Sequence, residues 1–142
     1  MVKLIVFLNK VFRRPGVGGR ESAEAYSEWE YQWGRSLVEE YLEPARDLGR
    51  KRVLDIGCGL GGKTVAYGEA GAAEVYGADL AVEHAQASQA FARRKTLKAP
   101  DTARRKTNKA PDSDEKWFRW GFTVADAARL PFSDESFDTV VA

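Results

Sequence analysis

A glycine-rich turn that directly follows a short apolar stretch constrains this chain more than any other feature of its sequence. Residues 53–56 read Val-Leu-Asp-Ile, and four of the next six residues are glycine. Glycine permits positive φ angles and lets a ligand approach the backbone closely. The helix predicted over residues 63–70 would add free N–H groups at its start. The turn therefore predicts a binding site for a polar or anionic ligand.

Strand and helix patterns alternate along the chain on both sides of this turn. Helices are predicted over residues 22–43, 63–70 and 81–91, and strands over residues 53–56, 74–78, 117–124 and 137–141. This alternation is typical of an α/β fold, in which helices cover both faces of a doubly wound parallel sheet. Right-handed crossovers would bring the glycine turn and the carboxyl ends of the strands to one edge of the sheet.

The length of the chain predicts one domain, residues 21–142, preceded by a short arm, residues 1–20. The arm joins an apolar run to basic residues and glycines, and we expect it to dock loosely. Residues 92–113 hold a tandem repeat, ARRKTLKAPDT followed by ARRKTNKAPDS. Because the repeat has almost no apolar side chains, it predicts a solvated basic loop or a frayed extension of the preceding helix. A basic arm that contacts nucleic acid or an anionic partner is the alternative.

The composition of the chain weighs against several classes of protein. A formal net charge of +1 gives no general attraction to nucleic acid, which is therefore not expected as a partner. No apolar run reaches the roughly 20 residues of a membrane-spanning helix, so no transmembrane segment is expected. The single cysteine, Cys58, cannot form an internal disulfide, which fits a reducing compartment and predicts a cytoplasmic protein. Without a cluster of Cys and His residues, no metal site is predicted.

Two phosphate-binding patterns overlap in the turn. Residues 57–64 match the P-loop, in which Lys63 would contact phosphate oxygens and Thr64 would contact magnesium. Residues 57–62 also match the fingerprint of dinucleotide-binding turns. The glycine spacing alone therefore leaves both ligands open.

A carboxylate at the start of the turn weighs against both phosphate ligands. Asp55 comes two residues before Gly57, and if it faces the turn it would repel a triphosphate or a pyrophosphate. It suits a ligand that carries an ammonium or sulfonium group and no phosphate, such as S-adenosylmethionine. A P-loop also needs a magnesium-side aspartate at the end of a strand, whereas Asp138 precedes its strand. Because Asp79 does end a strand, the P-loop reading is weakened and not excluded.

Two more aspartates follow predicted strands and share the same edge of the sheet. Asp79 ends the second strand, where an acidic side chain can accept hydrogen bonds from both hydroxyls of a ribose. Asp126 follows the third strand and could accept a hydrogen bond from an adenine amino group. Acidic residues also cap turns and helices at such positions, so each aspartate alone has a structural alternative.

Three segments, taken in order, resemble motifs of the class I S-adenosylmethionine-dependent methyltransferases. Residues 53–61 (VLDIGCGLG) resemble motif I, and residues 74–80 (EVYGADL) resemble motif II. Residues 126–138 (DAARLPFSDESFD) resemble the segment between the third and fourth strands in the small-molecule branch of that family, which is methyltransferase-domain-11-like. The resemblance covers about residues 25–142. It implies a Rossmann-like sheet of about seven strands, of which this chain supplies about four.

The resemblance also implies S-adenosyl-L-methionine as the cofactor. Asp55 and the turn would hold its amino-acid end, Asp79 its ribose and Asp126 its adenine. The full set of implied cofactor residues is Asp55, Gly57, Cys58, Gly59, Gly61, Asp79, Leu80, Asp126 and Ala127.

Other candidate residues have less specific interpretations. The first predicted helix resembles one that covers the cofactor in this family, although core packing is the alternative for its aromatic residues Tyr26, Trp29 and Trp33. Under the same resemblance Lys63 faces solvent. Neither Cys58 nor His84, the single histidine, has neighbours that indicate a catalytic role.

The sequence assigns no catalytic residue, because the half of the fold that binds substrate in this family is not represented. We expect a small molecule or a lipid as the methyl acceptor, and a chain of this extent to be inactive by itself. The fourth strand would leave an unpaired edge that invites pairing with a partner chain. The alternatives are a P-loop nucleotide-binding protein that uses residues 57–64, and a cofactor-binding remnant or adaptor without catalytic activity.

Overall fold

The computed structural model of the chain describes residues 22–97 and 118–142, so that the predicted arm and most of the tandem repeat lie outside the described residues. In chain order, the elements are helices α1 (Ser22–Tyr41) and α2 (Pro44–Asp47), strand β1 (Arg52–Ile56), helix α3 (Gly62–Glu69), strand β2 (Glu74–Asp79), helix α4 (Val82–Leu97), and strands β3 (Arg119–Val124) and β4 (Thr139–Val141).

The four strands form one parallel sheet in the order β3-β2-β1-β4. Within it, Leu54 of β1 pairs with Tyr76 of β2 on one side and with Val140 of β4 on the other. The predicted α/β, Rossmann-like fold is therefore confirmed, and the predicted strand limits agree with the observed ones to within two residues. The strand order reverses beside β1, which places the glycine turn at the point where ligands bind in doubly wound sheets.

Helices α1, α3 and α4 pack on the face of the sheet that carries Val53, Val75 and Trp120. The crossovers from β1 to β2 and from β2 to β3 both step in the same direction, so their helices lie on the same side. On the opposite face, the ring of Tyr76 contacts Phe132 and Phe137, 6.2 and 5.7 Å away between centroids. The described helices thus cover one face, whereas we expected helices on both.

Helix α4 extends six residues beyond its predicted end at Phe91 and enters the tandem repeat. Ala92 has no exposed surface, and the Nζ atom of Lys95 lies 2.8 Å from a carboxylate oxygen of Glu28 in α1. Of the two predicted forms, a solvated loop and a frayed extension of the preceding helix, residues 92–97 adopt the helical extension, and its packing against α1 was not predicted. The rest of the repeat lies outside the described residues.

Candidate functional site

The glycine turn lies at the carboxyl end of β1, whose neighbours in the sheet are β2 and β4. Three of its glycines have positive φ angles: +70° at Gly57, +56° at Gly59 and +80° at Gly61. L-residues with a side chain rarely adopt such angles, which explains why glycine occupies these positions. The turn then leads directly into α3 at Gly62.

The glycines of the turn face very different surroundings. A Cβ atom added to Gly57 would meet no atom within 4 Å, so the turn is open to a ligand at this position. At Gly59 an added Cβ would collide with the carboxylate of Glu30, and at Gly61 it would lie 2.7 Å from the Cβ of Ser88. At Gly62 it would collide with the backbone of α1. Close packing inside the protein therefore explains three of these glycines, and open space surrounds only Gly57.

Every backbone N–H from residue 57 to residue 62 already donates to an acceptor of the chain itself. Gly57 and Cys58 donate to the carbonyl of Ala78, and Gly61 donates to the carbonyl of Cys58. The remaining three donate to side-chain carboxylates: Gly59 to Asp79 at 3.0 Å, Leu60 to Glu30 at 3.0 Å, and Gly62 to Glu30 at 3.4 Å. A P-loop binds phosphate through free N–H groups of this kind, so the observed hydrogen bonding weighs against the P-loop interpretation.

Glu30 is the residue of this site that the sequence analysis missed. It is only 5% exposed and reaches the turn from α1, whose buried positions are Ser27, Glu30, Tyr31, Gly34 and Val38. Burial raises the pKa of Glu30 to about 7, although Lys63 and the N–H groups of Gly62 and Leu60 lower it in part. The i, i+3, i+4 spacing of these residues could have predicted a buried face of α1. The neighbouring row of α1 is more apolar, so that the sequence predicts the buried face there instead.

That apolar row contains the aromatic residues of α1. The rings of Tyr26 and Trp29 lie 5.5 Å apart between centroids, as do those of Trp29 and Trp33, and all three side chains are half-buried. The Nζ atom of Lys63 lies 5.5 Å from the ring centre of Trp33. The core-packing alternative for these residues is therefore not met, and their role as a cover for the cofactor stays a prediction.

Asp55 lies behind the turn, at the end of β1. Its Oδ2 atom accepts a hydrogen bond of 2.6 Å from the hydroxyl of Thr64, and it bonds to none of the N–H groups of the turn. The hydroxyl that a P-loop would direct at magnesium is thus committed to Asp55. The other oxygen, Oδ1, is buried and has no hydrogen-bond partner among the described residues. Burial raises the pKa of the Asp55 carboxyl.

Asp79 holds the turn against the start of α4. Its Oδ2 atom accepts from the N–H of Gly59, while Oδ1 accepts from the N–H of Ala81 at 3.0 Å and lies 2.9 Å from Nδ1 of His84. Burial alone would raise the pKa of Asp79, but hydrogen bonds from Ala81, Gly59 and His84 outweigh it, and the pKa is lowered. Asp79 is therefore a carboxylate whose three contacts leave one of about four lone pairs free. His84, which indicated no role in the sequence, proves to be its neighbour.

The remaining predicted cofactor residues lie at the same edge of the sheet. Leu80 is 73% exposed directly after Asp79. Asp126 and Ala127 are exposed in the segment after β3, where Oδ1 of Asp126 accepts from the N–H of Ala128 at 2.9 Å. Asp126 also lines an open concave surface together with Val124, Ala125, Ala128, Arg129 and Pro131. Asp126 thus lies at the same edge of the sheet as the turn, but after β3, which β2 separates from β1.

Cys58 is buried within the turn, and its thiol is not activated. Burial, together with the charges of Asp55, Asp79 and Glu30, raises the pKa of Cys58 to about 12. A thiol with such a pKa is not a nucleophile at neutral pH. Among the described residues, no group of His, Cys, Asp and Glu side chains is arranged to hold a metal ion. In the same part of the chain, no helix is long and apolar enough to cross a membrane.

Comparisons with known proteins concern the family and the fold of this chain. The family model described as "Methyltransferase domain" matches residues 54–142. No curated protein matches the chain. Among solved structures, the YcgJ protein from Bacillus subtilis is 25% identical with a TM-score of 0.53, over 77% of this chain and 36% of that one.

Two further structures share the fold at lower identity. The magnesium protoporphyrin IX methyltransferase ChlM from Synechocystis PCC 6803, solved with bound SAH, is 20% identical with a TM-score of 0.52, over 97% of this chain and 52% of that one. The [4+2]-cyclase SpnF is 20% identical with a TM-score of 0.53, over 96% of this chain and 44% of that one. The chain therefore spans about half or less of the length of these structures.

Because the family model covers more than half of the chain, the assignment to a family is clear. This chain belongs to the methyltransferase domain family, whose members depend on S-adenosylmethionine. The resemblance that motifs I and II indicated is thereby confirmed.

Proposed function

We propose that this chain forms the cofactor site of an S-adenosylmethionine-dependent methyltransferase. The observation that carries the proposal is the arrangement at the carboxyl edge of the sheet. There, an open glycine at position 57 lies beside Asp79, a carboxylate of lowered pKa at the end of β2. When bound, the cofactor would supply a methyl group on a positively charged sulfur, and the residues of this chain would bind and orient it.

Two observations support the fit of this cofactor to the site. The buried Oδ1 atom of Asp55 lacks a partner among the described residues, and a buried oxygen of this kind calls for a donor such as an ammonium group or a water. The pKa of Asp79 is lowered, so this carboxylate, which accepts the N–H of Gly59, places a negative charge at the turn. A cationic ligand is favoured there over a phosphate.

The individual roles are those that the family resemblance implies. Asp55 and the turn, with Gly57, Cys58, Gly59 and Gly61, would hold the amino-acid end of the cofactor. Asp79 would accept hydrogen bonds from the ribose hydroxyls, with Leu80 against the adenine. Asp126 and Ala127 would lie at the adenine amino group, where the segment after β3 forms its concave surface.

Further proposals concern the location, the methyl acceptor and the activity of the protein. We infer a cytoplasmic enzyme that methylates a small molecule or a lipid, and a chain of this extent that binds the cofactor but transfers no methyl group. A partner chain that pairs with β4 would extend the sheet. The ChlM structure contains SAH, and that enzyme is a methyltransferase of magnesium protoporphyrin IX, a small molecule, which supports this choice of acceptor class. The match to a cyclase shows that the fold alone does not specify the reaction.

The proposal is tested by calorimetric titration of S-adenosylhomocysteine into the purified chain. We expect saturable binding that Asp79→Asn weakens at least about tenfold, because the ribose loses its charged acceptor. Asp134→Asn, the same change at an exposed aspartate away from the turn, should bind like the unmodified chain. Absence of binding by a chain that circular dichroism shows to be folded would refute the proposed site.

A further inference from the structure

The carboxylate of Glu30 fills the position in which a phosphate-binding turn would hold its ligand. One oxygen, Oε2, accepts the N–H groups of Leu60 and Gly62. The other, Oε1, is the atom that a side chain at Gly59 would strike. A phosphate could reach these N–H groups only if Glu30 left the turn, and α1 holds Glu30 at a buried position.

The packing of α1 leaves Glu30 little freedom to leave. Gly34, one turn further along, brings α1 so close to α3 that an added Cβ would lie 2.8 Å from the Cα of Lys63. On the other side, the Oγ atom of Ser27 lies 3.2 Å from the carbonyl oxygen of Leu60, which shares the hydroxyl proton with the carbonyl of Ala23 at 2.9 Å. The backbone of α1 therefore fixes the Glu30 carboxylate against the turn from both directions.

The charges around Glu30 favour a cation at the turn. Lys63 is the cation that acts on Glu30, whereas Asp55 acts on it as a like charge. Asp79 adds a third carboxylate, which accepts the N–H of Gly59. At pH values above the Glu30 pKa of about 7, the Glu30 carboxylate adds its charge to that of Asp79, whose pKa is lowered, and this side of the turn favours a cation.

We propose that Glu30 determines the ligand specificity of the glycine turn: its carboxylate excludes phosphate-bearing nucleotides and favours a cofactor whose end carries an ammonium group. This inference rests on the proposed function for the identity of the favoured ligand, and on the hydrogen bonds of the turn for the exclusion of phosphate. It explains how residues 57–64 match a P-loop letter for letter without serving as one.

A merely structural role for Glu30 would have a different signature. If Glu30 only tied α1 to the turn, its replacement would weaken all ligands alike and lower stability. A specificity role instead changes the preference between two classes of ligand. The test therefore compares S-adenosylhomocysteine with inorganic pyrophosphate on the same variants.

The experiment uses two variants of the full chain, with titration of each ligand by calorimetry and a check of folding by circular dichroism. Glu30→Gln keeps an oxygen acceptor for the N–H groups and removes the charge, so the affinity for S-adenosylhomocysteine should fall about tenfold while pyrophosphate stays excluded. Glu30→Ala frees the N–H groups of Leu60 and Gly62 beside Lys63, so pyrophosphate binding should appear. Glu39→Gln and Glu39→Ala are matched controls on the exposed side of α1 and should leave both ligands unchanged.

Several outcomes would overturn the inference. One is binding of pyrophosphate to the unmodified chain, a measurement that remains decisive if Glu30→Ala does not fold. Another is a folded Glu30→Gln variant that binds S-adenosylhomocysteine as tightly as the unmodified chain does. If the folded, unmodified chain binds no S-adenosylhomocysteine at all, the proposed function fails. Gain of pyrophosphate binding in Glu30→Ala would then still support the exclusion of phosphate by Glu30, and its absence would refute it.

Discussion

At the scale of single residues, the glycines of the turn are required for two different reasons. Gly57 needs glycine for its φ angle of +70°, and the space around it is empty. Gly62 begins α3 and has no positive φ angle, yet an added side chain would run into the backbone of α1. Substitutions at these two positions should therefore separate ligand binding from stability.

We expect Gly57→Ala to fold, at a cost of about 1–2 kcal/mol in the free energy of unfolding for the left-handed backbone. Its methyl group would project into the open side of the turn and weaken S-adenosylhomocysteine severalfold or more. Gly62→Ala should cost more stability, about 2–3 kcal/mol, because the backbone of α1 has to shift. Urea unfolding and calorimetry of both variants check this, and equal losses of stability would contradict the distinction.

The sequence predicted which carboxylates line this edge of the sheet, but not which of them contacts the turn. Asp79 and Asp126 follow strands, and strand ends meet at one edge, so their location was predictable. Asp55 was expected to face the turn, yet it bonds to Thr64 behind it. The turn is contacted by Asp79, at Gly59, and by Glu30, which comes 30 residues before its partner Leu60. No local pattern indicates the packing that brings Glu30 there.

At the scale of secondary structure, α1 shows why the most apolar row of a helix is not always the buried one. Its row of Tyr26, Trp29 and Trp33 was predicted to cover the cofactor or enter the core, and these side chains are half-buried. The buried row contains Ser27, Glu30 and Gly34, whose small or polar side chains allow a close approach to α3 and to the turn. A periodic pattern of apolar residues identifies a helix. It does not show which face is buried when the helix packs closely, because close packing requires small residues at the contact.

Helix α4 provides a second case, since its end was predicted six residues too early. The first copy of the repeat has few apolar side chains, so packing was not expected. Its start nevertheless contacts the rest of the protein through the buried Ala92 and through Lys95. The Nζ atom of Lys95 lies 4.0 Å from the ring centre of Tyr31 and also pairs with Glu28. Long basic side chains can cover apolar surface while their charge stays paired.

A charge reversal at Lys95 should therefore loosen the contact between α4 and α1. Lys95→Glu would place a carboxylate opposite Glu28 and remove the cation from the Tyr31 ring, so we expect a loss of about 1–2 kcal/mol in the free energy of unfolding. Lys106→Glu makes the same change at the equivalent position of the second copy of the repeat and serves as the control. If urea denaturation shows the same loss in the free energy of unfolding for both variants, the effect is a general one of charge, and the specific contact of Lys95 is contradicted.

At the scale of the whole molecule, the order of the strands could be predicted from the sequence. The face of the sheet on which the helices pack could not. Alternating strands and helices with right-handed crossovers leave few arrangements, and the observed sheet is one of them. Which face each helix covers depends on the direction of each crossover. The β3–β4 connection carries no helix within residues 118–142 and places two phenylalanines near Tyr76 instead.

The fourth strand leaves apolar surface uncovered. Strand β4 pairs with β1 on one side, and no strand of the described residues pairs with its other side. Val140, which lies next to Leu54 in the register of the sheet, is 57% exposed. An unpaired strand edge beside exposed apolar side chains is a surface on which a further strand can add.

We therefore expect the isolated chain to self-associate through β4 as its concentration rises. Val140→Lys should reduce this association, because a lysine on an edge strand is costly to bury in a sheet between two chains. Val124→Lys, the same change at the exposed end of β3, the opposite edge strand, is the matched control and should leave the association intact. Sedimentation velocity over a range of concentrations measures the effect. An unmodified chain that sediments as a monomer throughout would show that the uncovered edge of β4 does not drive pairing, and equal effects of both lysines would locate the contact elsewhere.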